Sequence, residues 1–292
     1  KVGGIAIFAV AAIWASGLSG GAFSEPVELS KADALLASVA FSILAFKGFT
    51  TITNSGGEMV DPHKNVGRTI MVSIAVCIVI YLLVALAVGS SLSISEIVQA
   101  RDYSLAAAAR PAFGQMGFYF TVVIALTATI SGVIASVFAA SRMLAMLTDM
   151  KLLPHSHFGM SGGIQSHMLV YTVVIAGTLA VLFDLSRIAS LGAFFYLVMD
   201  MLVHWGVLRN LRKEVGARAT ILLAALAADG VVLAAFTVTK LRSDPAIVAY
   251  AIIGIAIVFL GQWIFLSGQR KATGSDPAER IGDGHSGDQE HP

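Results

Sequence analysis

The chain has 292 residues, 57% of them hydrophobic and only 13% charged, with 19 Lys and Arg against 18 Asp and Glu for a net charge of +1. That balance lies far from a water-soluble domain, in which about a quarter of residues carry charge, and without a basic excess nothing points to a nucleic-acid partner. The lone Cys77 cannot form an internal disulfide, and no phosphate loop, dinucleotide fingerprint or Cys/His zinc spacing suggests a cofactor.

Eight apolar stretches follow one another, at roughly residues 2–16, 34–55, 69–90, 117–140, 168–183, 188–208, 219–239 and 246–266. Most reach the ~20 residues that cross ~30 Å of hydrocarbon as a helix. Ala, Leu, Ile and Gly dominate and strand alternation is absent, so the expected fold class is an all-α polytopic membrane protein with about eight transmembrane helices. The chain opens at Lys1 without a Met. Its first, short stretch has neither the charged leader nor the cleavage site of a signal peptide, so further sequence is expected upstream.

The second stretch contains the run Leu44-Ala45-Phe46-Lys47-Gly48-Phe49-Thr50. A lysine at the centre of a membrane helix costs roughly 2.5–3.5 kcal/mol, so Lys47 reads as functional. Gly48 beside it weakens a helix by about 1 kcal/mol relative to Ala and favours an opening of the helix there. Pairing of Lys47 with a distant acid for structure alone is the bland alternative. At the end of this stretch Glu58, Asp61, Lys64 and Arg68 form a dense charge cluster, readable as the breakable ion pairs of an inner gate or as solvated loop charges.

Farther along, Ser93-Ile94-Ser95-Glu96 is a capping box that predicts a short helix through Ile97 and Val98. In the fourth stretch Thr127, Thr129, Ser131 and Ser136 offer hydroxyls to a cation, while Gly132, Ser136 and Ala140 make a small-residue stripe suited to close helix packing, which is the favoured reading. Arg142 to Leu153 reads as a helix end running into a turn at Pro154. His155, His157 and His167 have no Cys or carboxylate at metal-ligand spacing, so no metal site is expected. Asp200 and His204, four residues apart, share a helix face and would relay a proton or bond each other, although His204 also lies near enough to Arg209 to be simply hydrated at the interface. Asp229, in the middle of the next stretch, reads as a proton relay or as a structural hydrogen bond, and the hydrogen bond is the favoured reading. Residues 267–292, poor in apolar side chains, read as a disordered tail. Residues 1–266 would form the transmembrane domain.

Lys and Arg on alternate loops divide twelve to six, counting Lys1, Lys64, Arg68, Arg142, Lys151, Arg209, Arg212, Lys213, Arg218, Arg270, Lys271 and Arg280 against Lys31, Arg101, Arg110, Arg187, Lys240 and Arg242. The richer side is expected in the cytoplasm, which puts both ends of the chain there.

Phe41 to Phe49, followed by Gly56-Gly57-Glu58 and Asp61-Pro62-His63-Lys64-Asn65, resembles the broken sixth helix and following loop of the amino acid, polyamine and organocation superfamily. Ala140-Ser141-Arg142 and Asp149 to Pro154 resemble that family's ending of the eighth helix. The resemblance covers residues 1–266 as family helices five to twelve, and implies a partial inverted-repeat (5+5) fold with the first four helices absent. It further implies a secondary active transporter, not an enzyme, working by alternating access on amino acids or related small amine or carboxylate metabolites in a cytoplasmic (inner) membrane. The substrate would bind backbone groups of Ala45, Phe46, Lys47 and Gly48, with Phe49 lining the pocket and Glu58 at the inner gate. Three positions depart from the family: Lys47 stands where an apolar or small residue is usual, Leu44 where an aromatic gate is frequent, and Thr50 where an acid is common. An ammonium in the pocket disfavours cationic substrates, and either holds a carboxylate or replaces a coupling sodium ion. Drive by a proton or by substrate exchange follows, with Asp200 and His204 as coupling candidates. The rival from another class is a non-transporting truncated or split membrane module that scaffolds or regulates a partner supplying the missing helices.

Overall fold

The computed structural model describes residues 2–18, 20–25, 32–46, 48, 52–53, 59–154 and 162–273. In chain order the helices are α1 (Val2–Ser16), a 3-10 turn (Gly21–Ser24), α2 (Ala32–Ala45), α3 (Pro62–Ser91), α4 (Ile94–Gln99), α5 (Ser104–Ala108), α6 (Arg110–Asp149), α7 (Ile164–Leu182), α8 (Leu185–Gly206) continued by a π-turn (Val207–Leu211), α9 (Ala219–Ser243) and α10 (Pro245–Thr273). The fold is all-α, and among the described residues there is no strand. Six of these helices are long and apolar enough to cross a membrane, and two apolar helices, Val2–Ser16 and Leu35–Ala45, are shorter. The second stretch is therefore not one span: its helix ends at Ala45, inside the apolar run, where Lys47 and Gly48 interrupt the pattern. Large apolar side chains face outward along the spans and the shorter apolar helices alike, Val181 at 87% and Trp14 at 88% exposure among them. Such a surface is stable against lipid and not against water. α10 runs on to Thr273, past the expected end of its span near residue 266.

The chain divides into two compact units. In the first, residues 1–30 and 48–136, α1 lies on α3 through Ala9, Ala12 and Ala87, all fully buried. Small side chains let the two backbones approach closely, which replaces the hydrophobic drive that lipid does not supply. Ser16, Ser90 and Ser91 link the ends of these helices through their hydroxyls at 3.0 and 3.1 Å. The turn after α1 then folds back on the end of α3. Gly21 has φ +59°, and a Cβ there would stand 2.5 Å from the Gly89 carbonyl oxygen, so only glycine fits. The Ala22 N–H donates to the Leu92 carbonyl at 2.7 Å.

α4 starts at the expected capping box: the Ser93 hydroxyl accepts from the Glu96 N–H, and the Ser93 N–H donates back to the Glu96 carboxylate at 2.8 Å. These donors hold the Glu96 carboxyl below the usual range, the Ser93 backbone N–H acting most strongly and its hydroxyl next. Glu25 adds a bond, its carboxylate accepting from the Ile94 N–H at 3.0 Å. α6 is kinked at Gly114, whose φ of 59° and ψ of −151° lie outside the helical region. Its hydroxyls are turned inward along its own backbone, with Thr127 donating to Val123 and Ser131 to Thr127. Of the small-residue stripe, Gly132 and Ser136 are exposed and Ala140 is half-buried.

In the second unit, residues 31–47 and 137–292, α2, α8, α9 and α10 share one core. Ala37 and Ala40 of α2 face Leu191, Phe194 and Leu197 of α8, Val232 and Phe236 of α9, and Ile247 and Val248 of α10. Phe236 is fully buried, with ring centroids 5.2 Å from Phe41 and 4.8 Å from Phe194. Lys240, one turn on, places its ammonium 5.4 and 5.7 Å from the Phe41 and Phe236 rings, a cation over two π faces. At the same end Arg187 joins α8 to the start of α10, its Nε donating to Asp244 at 2.7 Å. That bond, foremost, holds the Asp244 carboxyl below the usual range. The end of α6 closes at Lys151, in the left-handed region at φ 59°, where the Leu152 N–H returns to the Leu147 carbonyl. Gln262 of α10 then donates to the Leu152 carbonyl at 2.9 Å and fixes the turn before Pro154.

Candidate functional site

α2 stops because the chain turns at Phe46, whose N–H closes a short bond to the Ile43 carbonyl at 3.1 Å. The carbonyl end of a helix carries about half a negative charge, so a break at this point offers a cationic group a partner that the membrane otherwise lacks. Leu44 leans on α8: a Cβ added to Gly192 would lie 3.5 Å from its side chain. Phe46 is half-buried, Ala45 exposed, and Gly48 exposed with open space beside it. Lys47, Phe49, Thr50 and Glu58, the remainder of the predicted binding run and the expected gate acid, lie outside the described residues. Asp61, Lys64 and Arg68, of the same charge cluster, are exposed at the start of α3.

The second group of predicted residues lies on α8. Asp184 caps this helix, its carboxylate accepting from the Arg187 N–H at 3.0 Å. Along it Gly192, Tyr196, Asp200 and His204 recur every fourth residue. They form a row that winds slowly around the helix, because four residues exceed one turn of 3.6. Tyr196 is 2% exposed, and Asp200 and His204 are half-buried. His204 Nδ1 lies 3.1 Å from Oδ2 of Asp229 on α9. Asp229 is 8% exposed, a carboxylate buried in the middle of an apolar helix. Its expected hydrogen bond is thus present, and its partner is His204. Sequence reasoning set His204 beside Asp200, four residues away on one helix; the residue that meets the imidazole comes from the next helix. The available signal was the occurrence of ionisable side chains in two successive spans, each costly unless partnered.

Of the three histidines read as one loop, His155 and His157 lie outside the described residues, and His167 is not in a loop but buried in the first turn of α7. Among the described residues no group of three His, Cys, Asp or Glu could hold a metal ion. In the first unit a cavity of about 410 Å³ opens between α1, α5 and α6, walled by Ile5, Phe8, Leu105 and Ile124 with Arg101, Asp102 and Tyr103 at one edge.

A family model described as amino acid permease matches residues 2–275. Among curated proteins, an uncharacterized protein of Methanocaldococcus jannaschii is 29% identical over 238 residues, covering 80% of this chain and 53% of the relative. The inner membrane transport protein YbaT of Escherichia coli is 27% identical over 199 residues, covering 65% of this chain and 44% of the relative. The chain thus spans about half the length of these curated relatives.

Proposed function

Because the chain belongs to the amino acid permease family, we propose that it acts as the substrate-holding part of a secondary transporter for amino acids or related small amine or carboxylate metabolites. The observation that carries this reading is the end of α2 at Ala45, inside an apolar segment and directly before Lys47 and Gly48. A helix stopped at this depth exposes carbonyls to an α-ammonium, and irregular backbone is tolerated in a membrane only against protein or a wet cavity. Leu44, Ala45, Phe46, Lys47, Gly48, Phe49 and Thr50 form the binding run. The Lys47 ammonium receives the substrate carboxylate, which favours neutral or acidic amino acids over cationic ones. Glu58 belongs to the inner gate. Transport proceeds by alternating access in an inner membrane, with both ends of the chain on the cytoplasmic side. A proton or a counter-substrate supplies the drive, and Asp200 and His204 take part in coupling.

The test is uptake of radiolabelled amino acids into proteoliposomes by the full-length protein. Saturable uptake of neutral or acidic amino acids, competed poorly by lysine and arginine, is expected. Uptake that requires sodium and ignores a proton gradient would sink the coupling proposal, and absence of uptake and of counterflow would sink the transporter proposal.

A further inference from the structure

Within the second unit, α8 and α9 each carry an acid at membrane depth, and one imidazole lies against one of the two. With a neutral imidazole on His204 and an ionised carboxylate on Asp229 the pair carries one negative charge, which apolar surroundings disfavour, and one proton taken up by either group removes it. We propose that the His204–Asp229 pair is the proton-binding site of this protein, and that its state reaches the substrate run through the row Gly192, Tyr196, Asp200 and His204 on α8. This rests on the permease reading above and deepens its coupling step.

Three observations support it. The pair is interhelical, His204 Nδ1 to Asp229 Oδ2 at 3.1 Å, so a proton gained or lost changes what holds α8 to α9. The row that begins at His204 ends about 18 Å away at Gly192, where the Leu44 side chain from the end of α2 rests. Directly after His204 and Trp205 the helix widens into the π-turn Val207–Leu211, a departure that is rare in helices and concentrates at functional sites.

Few other groups compete for the proton. Besides Tyr196 and Asp200 on α8, the π-turn brings Arg209, and α9 carries no other ionisable side chain between Arg218 and Lys240. α10 has none between Tyr250 and Arg270, α2 none between Asp33 and Ala45, and α7 has His167 and Tyr171 near its start.

The experiment uses full-length protein with Asp229→Asn, His204→Gln and Asp229→Glu, and two readouts. The first follows ring-carbon NMR signals of the histidines through pH 5–8 in detergent, His204 being assigned by its loss in the Gln variant. The second measures accumulation of a radiolabelled amino acid mixture under an inward proton gradient, beside counterflow without one. With one proton per substrate, a gradient of one pH unit sustains up to about tenfold accumulation in the wild type. Asp229→Asn and His204→Gln are expected to abolish that accumulation and keep counterflow within about twofold. Asp229→Glu is expected to restore part of it, and Asp229→Asn to shift the His204 titration. Wild-type accumulation in either neutral variant, or equal loss of accumulation and counterflow in well-folded protein, would overturn the proposal. Failure of both neutral variants to fold would also overturn it, by making the pair a structural tie. If the wild type shows neither accumulation nor counterflow, the permease reading fails instead, and an unchanged His204 titration in Asp229→Asn then overturns the proton site by itself.

Discussion

A carboxylate that accepts from a guanidinium is held ionised to lower pH than a hydrated one, and Asp244 has the Arg187 guanidinium at 2.7 Å. Because its folded value is depressed, its contribution to stability is fully present above the ordinary carboxylate value near ~4 and is lost as pH falls through the folded value. The melting temperature of the detergent-solubilised wild type should therefore exceed that of Asp244→Asn at neutral pH. The difference should shrink as pH is lowered from about 5 to about 3, as scanning fluorimetry would read. A difference that does not change with pH would mean that the pair contributes through packing alone. Lys47 belongs to the same scale. Lys47→Met should raise the KM for amino acids with a free carboxylate by about tenfold or more, the loss of one charge-assisted bond. It should also relax discrimination against lysine and arginine. Unchanged KM and preference in the uptake assay would remove Lys47 from the site.

At the scale of elements, helix α9 is fixed by Phe236, wedged between Phe41 and Phe194 and covered by Lys240. Phe236→Ala should cost roughly 3–5 kcal/mol, measurable as a lower unfolding midpoint, since the rings around it cannot collapse into the space left. The turn after α1 depends on Gly21 in the same way. Gly21→Ala should lower the melting temperature, because both the positive φ and the Gly89 carbonyl reject a Cβ. Parts of this scale were legible in sequence: the Ser93–Glu96 capping box starts α4 where expected, since capping is chemistry between residues three apart. The end of α2 was legible only to within a few residues: Lys47 and Gly48 mark an interruption, and the turn at Phe46 sets the helix end at Ala45. α6 likewise runs to 40 residues, through a kink at Gly114 that hydropathy does not register.

For the whole molecule, the proposed orientation makes a directional prediction. Cysteines placed at Ser95 and at Glu214, in a Cys77→Ala background, should react with a membrane-impermeant maleimide from opposite sides of intact cells, Ser95→Cys from outside. Labelling of both from one side would invert or break the topology. The sequence by itself determined that this is a membrane-crossing all-α chain of the permease family, because hydropathy over about 20 residues and short motifs are local properties written in order along the chain. It also marked the run around Lys47 and Gly48 as the place where a span is interrupted. What only the tertiary structure decided is who meets whom. The partner of His204 is Asp229 on the next helix, and Leu44 rests on Gly192, because the rotation and axial offset of packed helices follow from how Phe194, Leu197, Val232 and Phe236 fill their shared core. That filling depends on all four helices at once, so no single stretch of sequence contains it.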